Sequence, residues 1–187
     1  MAKRTFDLLI AFCAVIIFVV PYLMIMIGVK LSSEGPTLYW SKRAGQNDQY
    51  FMMPKFRSMQ IGTPEVATDK LGKPDLYITS FGSFLRRTSL DEIPQLYSVI
   101  CGDMSIVGPR PALHNQDKLI ALRAESGVNA LRPGVTGWAQ VNGRDQISLQ
   151  EKLRYDKEYL EHQSLFFDVK IIFLTILAVV RSRGINH

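Results

Sequence analysis

Cysteine is scarce in this chain: two in 187 residues, Cys13 inside an apolar run and Cys101 far from it. That spacing argues against a disulfide framework and against a paired thiolate metal site. The sequence has no CxxC, no HExxH, no glycine-rich loop closing on Gly-Lys-Ser/Thr and no GxGxxG. Redox dithiol chemistry, zinc peptidase chemistry, P-loop phosphate binding and dinucleotide binding therefore lose their usual signatures. His114, His162 and His187 share no metal-ligand spacing and read as surface or core histidines. No internal repeat or low-complexity tract is present, and the length leaves room for one compact unit plus an appendage, without a second full core.

What the chain has is apolar residues, 47% of the total, and an excess of basic over acidic groups, 22 against 17 for a net charge of +5. The charge fits an anionic partner: nucleic acid, lipid phosphate or a phosphorylated small molecule. The apolar excess is local. Residues 8–29 form a run of 22 without a charge, about 33 Å of helix against a hydrocarbon core of about 30 Å. The run is too long for a signal peptide, and no small-residue cleavage site follows it.

Basic residues flank both ends of that run, Lys3 and Arg4 before it, then Lys30, Lys42, Arg43, Lys55 and Arg57 after it. The positive-inside tendency asks for both flanks on the cytoplasmic side, which one straight crossing cannot provide. Pro21, a little past the centre, removes a backbone donor and clashes with the carbonyl four residues earlier. A re-entrant helix that bends at Pro21 and returns through the same leaflet satisfies both observations. A kinked single-pass helix is the alternative.

Beyond the run, "TLYWSKRAGQNDQYFMMPKFRSM" (37–59) alternates β-favouring residues around "AGQND" and predicts two short strands joined by a tight turn. Residues 60–76 read as a loop. Two helical pieces follow in 80–111. Pro94 is comfortable only in a first helical turn, so the second piece is expected to begin near Leu90 or Asp91, with Asp91 and Glu92 at its N-terminus. "SLQE" (148–151) is a capping-box pattern that opens an amphipathic helix to about Leu160, with Leu149, Leu153 and Leu160 on one side. The last apolar stretch (165–180) is interrupted by Asp168 and Lys170, too short to span. It predicts a helix on the core or in the membrane interface, with Arg181 and Arg183 near lipid phosphates.

An Asp-Glu pair alone is more often a solvated helix start than a site, but its neighbours alter that. Arg86 and Arg87 precede Asp91 and Glu92, and "GPRP" (108–111) follows, with Arg110 held between two prolines. Guanidinium groups match phosphate oxygens, and carboxylates beside phosphates require cations between them, from arginine and from a divalent ion such as Mg2+. "LRPGVTGWAQVNGRD" (131–145) is a second candidate loop. Its glycines permit close approach to a ligand, and Trp138 with Arg132, Gln140, Asn142 and Arg144 suits a nucleobase or sugar. The same stretch also reads as a simple hairpin with "NG" at its turn.

Taken together, "KRTFD", "KFRSM", "SLDEIPQL", "GDMSIVGPRP", "RPGVTGWAQVNGR" and "DVKIIFLT" cover nearly the whole chain, and in that order they resemble the bacterial sugar transferases, the small monotopic phosphoglycosyl transferases of the PglC type. The resemblance implies transfer of a phosphosugar from a UDP-sugar to undecaprenyl phosphate at the cytoplasmic face of the bacterial inner membrane, with Mg2+. It implies Asp91 as nucleophile, Glu92 as a Mg2+ ligand alongside Asp91, and Arg110 as a phosphate grip, helped by Lys55, Arg57 and Arg86. An N-acetylated amino sugar is the expected donor sugar, membrane lipids are expected contacts, a homodimer is compatible, and nucleic acid is not an expected partner. The family's N-terminal helix is re-entrant and broken at a proline that Pro21 matches, although Val20 stands where relatives often have serine. The fold expectation is α+β: a mostly helical small domain on the cytosolic face with a short β-hairpin, a re-entrant helix over 1–30 and a catalytic unit over 31–187 with interfacial amphipathic helices. A catalytically silent membrane-anchored binder of anionic lipid or glycan intermediates is the rival reading.

Overall fold

The computed structural model describes residues 1–64, 66, 76–143 and 147–180. Most of the loop expected at 60–76, together with Arg144, Arg181 and Arg183, lies outside the described residues.

Helix α1, Ala2–Ser32, runs through Pro21 as one helical element. Its buried residues are Asp7 and Ala11 near one end and Ile25 and Val29 near the other. Between them Phe12, Ile16, Ile17, Val19 and Val20 are exposed, so an apolar surface is left facing outward. By length and composition the helix is sufficient to cross a membrane.

Both ends of α1 are fastened to the rest of the fold. At the front, the Asp7 carboxylate accepts from the Ser105 hydroxyl at 2.9 Å, the Ile106 amide at 3.1 Å and Lys3 Nζ at 3.0 Å. Arg4 donates to the carbonyls of Val99 and Ile100 at 2.6 and 3.0 Å, where exposed helix-end acceptors need donors. At the rear, Ile25 and Val29 pack with Phe56 and Leu85. A side chain at Gly28 would put its Cβ 2.5 Å from the Phe81 ring, so glycine is what lets that ring close on the helix.

Strands β1, Leu38–Ala44, and β2, Tyr50–Phe56, pair antiparallel from Leu38 opposite Phe56 to Ala44 opposite Tyr50. This is the predicted hairpin. Its turn places Asn47 and Asp48 at φ 53° and 61°, a region that short polar side chains tolerate. Residues 112–114 lie along the free edge of β1, with Ala44 N donating to Ala112 O at 2.9 Å and His114 N to Lys42 O at 3.3 Å.

Helix α2, Ser80–Thr88, is capped by Thr79, whose hydroxyl accepts from Gly82 N. A 3-10 turn, Leu90–Glu92, and helix α3, Gln95–Cys101, follow. The α-helix therefore starts several residues later than expected. Pro94 has no amide to offer Leu90, and the turn before it is held by three-residue bonds, Glu92 N to Ser89 O and Ile93 N to Leu90 O.

Strand β3, Ser105–Val107, pairs in parallel with β4, Gly134–Thr136, and residues 138–141 before "NG" are helical, so 131–143 does not form a hairpin turning at "NG". Its glycines serve a backbone crossing: Gly108 N donates to Thr136 O at 2.9 Å, and a Cβ on Gly134 would stand 2.1 Å from Gly108 N. Helix α4 is Asp117–Glu125 and α5 is Trp138–Val141. Helix α6, Leu149–His162, carries the predicted capping box between Ser148 and Glu151. Its buried residues are Asp156 and Tyr159, and the expected leucines 149, 153 and 160 are only half-buried.

Helix α7, Leu165–Val180, buries Asp168 and Ile171. Asp168 takes the Tyr159 hydroxyl at 2.7 Å and lies 2.9 Å from Lys3 on α1. A buried carboxylate is tolerable only when paired and hydrogen-bonded, and that requirement ties α1, α6 and α7 into one unit. Tyr159, Ile171, Ala11, Met53, Val99, Met104, Ile106 and Val107 form the main core, while Phe166, Val169, Phe173 and Ile176 stay exposed.

Candidate active site

Asp91 and Glu92 occupy the 3-10 turn between α2 and α3. Ser89 enters it at φ 57°, reversing the chain after α2 so that both acids face strand β2. Asp91 is 8% exposed. Lys55, projecting from β2, stands 2.8 Å from Glu92 Oε1 and 3.9 Å from Asp91 Oδ2. Arg110 NH2 donates to the same Glu92 Oε1 at 3.0 Å. Four of the expected site residues, two acids and two bases from three separate segments, thus converge on one point.

Burial pushes the Asp91 carboxyl up, and Glu92 adds to that; Lys55 is the largest opposing influence, followed by Arg86 and Arg110. Arg86, in the last turn of α2, therefore acts on the site through its field. Burial pushes the Lys55 ammonium down, opposed by Glu92 and Asp91. Each group favours the charged form of the other, against burial that disfavours both.

The segment that presents Arg110 is held by its backbone. Arg123 NH1 donates to the Arg110 carbonyl at 2.8 Å, and Arg43 NH1 to the Pro111 carbonyl at 3.1 Å. Prolines on both sides limit the backbone of Arg110 further.

The other expected residues lie elsewhere. Arg57, 8% exposed, donates from NH1 to the Glu34 carbonyl at 2.7 Å and braces the link between α1 and β1. Gln140 donates to the Val135 carbonyl and Asn142 to the Trp138 carbonyl. Arg132 is exposed. Trp138 packs its ring against Phe167 at 5.0 Å and Tyr155 at 6.3 Å, with Lys170 over it at 5.2 Å, so core packing accounts for an aromatic that the sequence offers as a ligand shelf. Arg43, Arg123 and Asp156 also support the site, although the sequence suggests only Arg43, and that as a basic flank of the apolar run. Arg43 had a signal, since its strand alternation places it on the Lys55 side of the hairpin; Arg123 and Asp156 look like ordinary solvated helix charges.

Residues 1–182 match the model of the bacterial sugar transferase family. The chain is 39% identical to the exopolysaccharide production protein ExoY of Rhizobium meliloti (strain 1021), over 98% of this chain and 88% of that protein. It is 44% identical to the UDP-glucose:undecaprenyl-phosphate glucose-1-phosphate transferase of Xanthomonas campestris pv. campestris, over 84% of this chain and 34% of that protein. It is also 35% identical to the undecaprenyl-phosphate galactose phosphotransferase of Salmonella typhimurium (strain LT2), over 97% of this chain and 41% of that one. These two relatives are much longer, and this chain corresponds to well under half of each. With its carboxylate pair, its proline-flanked arginine and a match across almost its full length, the chain belongs to the bacterial sugar transferase family.

Proposed function

We propose that this protein transfers a sugar 1-phosphate from a UDP-sugar to undecaprenyl phosphate, releasing UMP and supplying the lipid-linked sugar that starts a surface glycan. The observation that carries the reading is the meeting of Asp91 and Glu92 with Lys55 and Arg110 at 2.8 to 3.9 Å. Phosphoryl transfer needs positioning and charge neutralisation more than covalent machinery, and this group of side chains offers both beside a nucleophile.

In this mechanism an Asp91 carboxylate oxygen attacks the sugar-linked phosphorus. The bond from that phosphorus to the bridging oxygen breaks, and UMP leaves with the electron pair. The phosphosugar remains on Asp91 as an acyl phosphate. A lipid phosphate oxygen then attacks the same phosphorus and returns Asp91 as a carboxylate. Two displacements at one nucleophile let a soluble donor and a membrane-bound acceptor use one site in turn. Lys55 keeps Asp91 ionised, while Arg110 and Arg86 meet phosphate charge.

The donor set also fits Mg2+. Among the described residues no three acidic, histidine or cysteine side chains converge, and Mg2+ characteristically takes one or two carboxylates with substrate phosphates completing its shell. Glu92 and Asp91 would hold it, and it would supply charge neutralisation on the diphosphate.

A monotopic, re-entrant placement of α1 on the cytoplasmic face draws support from its two-ended attachment. A helix fastened at Asp7 and again at Val29 to the same body leaves only its exposed middle to enter the bilayer. The sugars in the relatives' names, glucose and galactose, weigh toward a neutral hexose against the N-acetylated amino sugar expected from the short architecture.

The test is UMP release by detergent-solubilised protein across a panel of UDP-sugars of both kinds, with and without undecaprenyl phosphate, in Mg2+ and after chelation. Lipid-dependent release from one donor, lost in Asp91→Asn and on chelation, is the expected result. Ligand binding with no UMP release from any donor would instead establish the silent binder.

A further inference from the structure

Arg110 depends on a buried ion pair that is not part of the carboxylate site. Asp156 on α6 is 2% exposed, and its Oδ2 accepts from Arg123 Nε at 3.0 Å and NH2 at 2.7 Å. The opposite corner of the same guanidinium, NH1, donates to the Arg110 carbonyl at 2.8 Å. One planar group thus joins α6 to the backbone of the site arginine. From the other side, Arg43 on β1 holds the next carbonyl, that of Pro111, with its Nε bonded to the buried Ser41 hydroxyl at 3.0 Å. Two successive carbonyls are pinned from two separate elements, and from that held backbone the side chain between the prolines reaches Glu92 Oε1 at 3.0 Å.

Resting on the phosphosugar-transfer reading, we propose that Arg123 and Asp156 are positioning residues that set the aim of Arg110 at the transferred phosphate. A buried ion pair is a weak source of stability compared with an apolar pair of the same volume, so stability alone gives little reason for one here. The geometry gives another reason, because only a guanidinium can take a carboxylate on one edge and a carbonyl at its far corner. Lysine keeps the charge but presents a point of donors in place of a rigid fork.

The experiment measures kcat/KM for UMP release and the unfolding temperature of Arg123→Lys and Asp156→Asn, each in the native and the Arg110→Ala background. Misaiming a positioned group by about 1 Å costs about 100-fold, so losses of roughly 10- to 100-fold are expected in the native background. Against Arg110→Ala the same substitutions should change kcat/KM by less than about twofold, while their effects on unfolding temperature stay equal in the two backgrounds. Equal kinetic losses with and without the Arg110 side chain, or no loss in either single variant, would overturn the proposal. If a single variant does not fold, the paired Arg123→Met/Asp156→Leu exchange removes both buried charges together and carries the same comparison. A native protein that releases no UMP from any donor overturns the transfer reading and this inference with it. An active native protein with additive losses overturns this inference alone.

Discussion

Replacing Lys55 with methionine removes one ammonium while keeping an unbranched apolar stem at the same place. The Lys55 and Asp91 side chains are 15% and 11% exposed and lie 3.9 Å apart, so solvent screens them little. Two unit charges at about 4 Å attract by about 4 kcal/mol at an effective dielectric of about 20. If relaxation and entering water halve that, about 2 kcal/mol remains, close to 30-fold in the ionisation constant of Asp91. The direction follows from the site: burial already pushes the Asp91 carboxyl up, and Lys55 is the strongest influence holding it down. Without Lys55 the carboxyl rises further, less nucleophile is ionised, and the single-turnover rate of UMP release falls most at the acid end of the range, by up to about 30-fold where the carboxyl is mostly protonated. The lost rate should return as pH is raised, because hydroxide does what Lys55 did. The assay is single-turnover UMP release from about pH 6 to about pH 9 in native and Lys55→Met proteins. An unchanged rate and profile would mean that Lys55, whose ammonium burial pushes down, is uncharged in the working enzyme. A loss equal at every pH would mean that Lys55 holds phosphate and does not tune Asp91; either result refutes the reasoning.

Asp91→Asn should abolish both turnover and the mass increase of a phosphosugar adduct that the native protein shows with donor alone. It should also unfold at a higher temperature than the native protein near neutral pH. Because the folded carboxyl lies above its unfolded value, ionising it costs native stability as pH rises through that interval; the difference should close in acid, and a native protein more stable at neutral pH would contradict this. Leu85→Ala, at a position 0% exposed between α1 and β2, should cost about 2 to 5 kcal/mol. At about 2 to 4 °C per kcal/mol for a chain of this size, a change in unfolding temperature under about 2 °C would show that the rear attachment of α1 is loose. Gly28→Leu should destabilise by clashing with the Phe81 ring, and Phe81→Ala should suppress the defect; a double variant no better than Gly28→Leu would place the strain elsewhere.

Features whose chemistry is local were legible in the sequence. The hairpin follows from aromatic and other β-favouring residues on either side of "AGQND", and α6 from a capping box whose two bonds lie within four residues. The grouping of Asp91 and Glu92 with Arg110 was legible because carboxylates and phosphate-gripping arginines need one another, whereas Lys55 came only with the family resemblance, alongside Arg57, which the fold places elsewhere. Long-range roles were hidden. Asp168 reads as the charge that spoils an apolar helix, yet it is the group by which Lys3 and Tyr159 fasten α7. Asp156 and Arg123 read as solvated helix charges because their partners stand 33 residues apart. The glycines of 134–137 suggested a ligand cradle; the space they leave is filled by the backbone of Gly108. A sequence shows that side-chain bulk is missing at such positions, and only the fold shows what takes its place.

Glu92 has a further consequence for how the site receives a substrate. Its Oε1 accepts from Lys55 at 2.8 Å and from Arg110 at 3.0 Å, the arrangement a phosphate oxygen would make with the same two cations. Before substrate arrives, the glutamate holds both donors at a spacing set by a single oxygen and so keeps them aimed. In the proposed transfer an entering diphosphate would exchange one anionic oxygen for another, so that Lys55, the buried cation of the two, keeps an anionic partner. This also explains the order of the two acids. In the proposed transfer Asp91, the more buried, is the nucleophile whose ionised form Lys55 favours, and Glu92, one residue on and touching both cations, is the group that releases them. An uncharged side chain at 92 would leave Lys55 with Asp91 alone and free Arg110, whose side chain is 41% exposed, to turn toward solvent, so the spacing of the two donors depends on the glutamate even before any metal is considered.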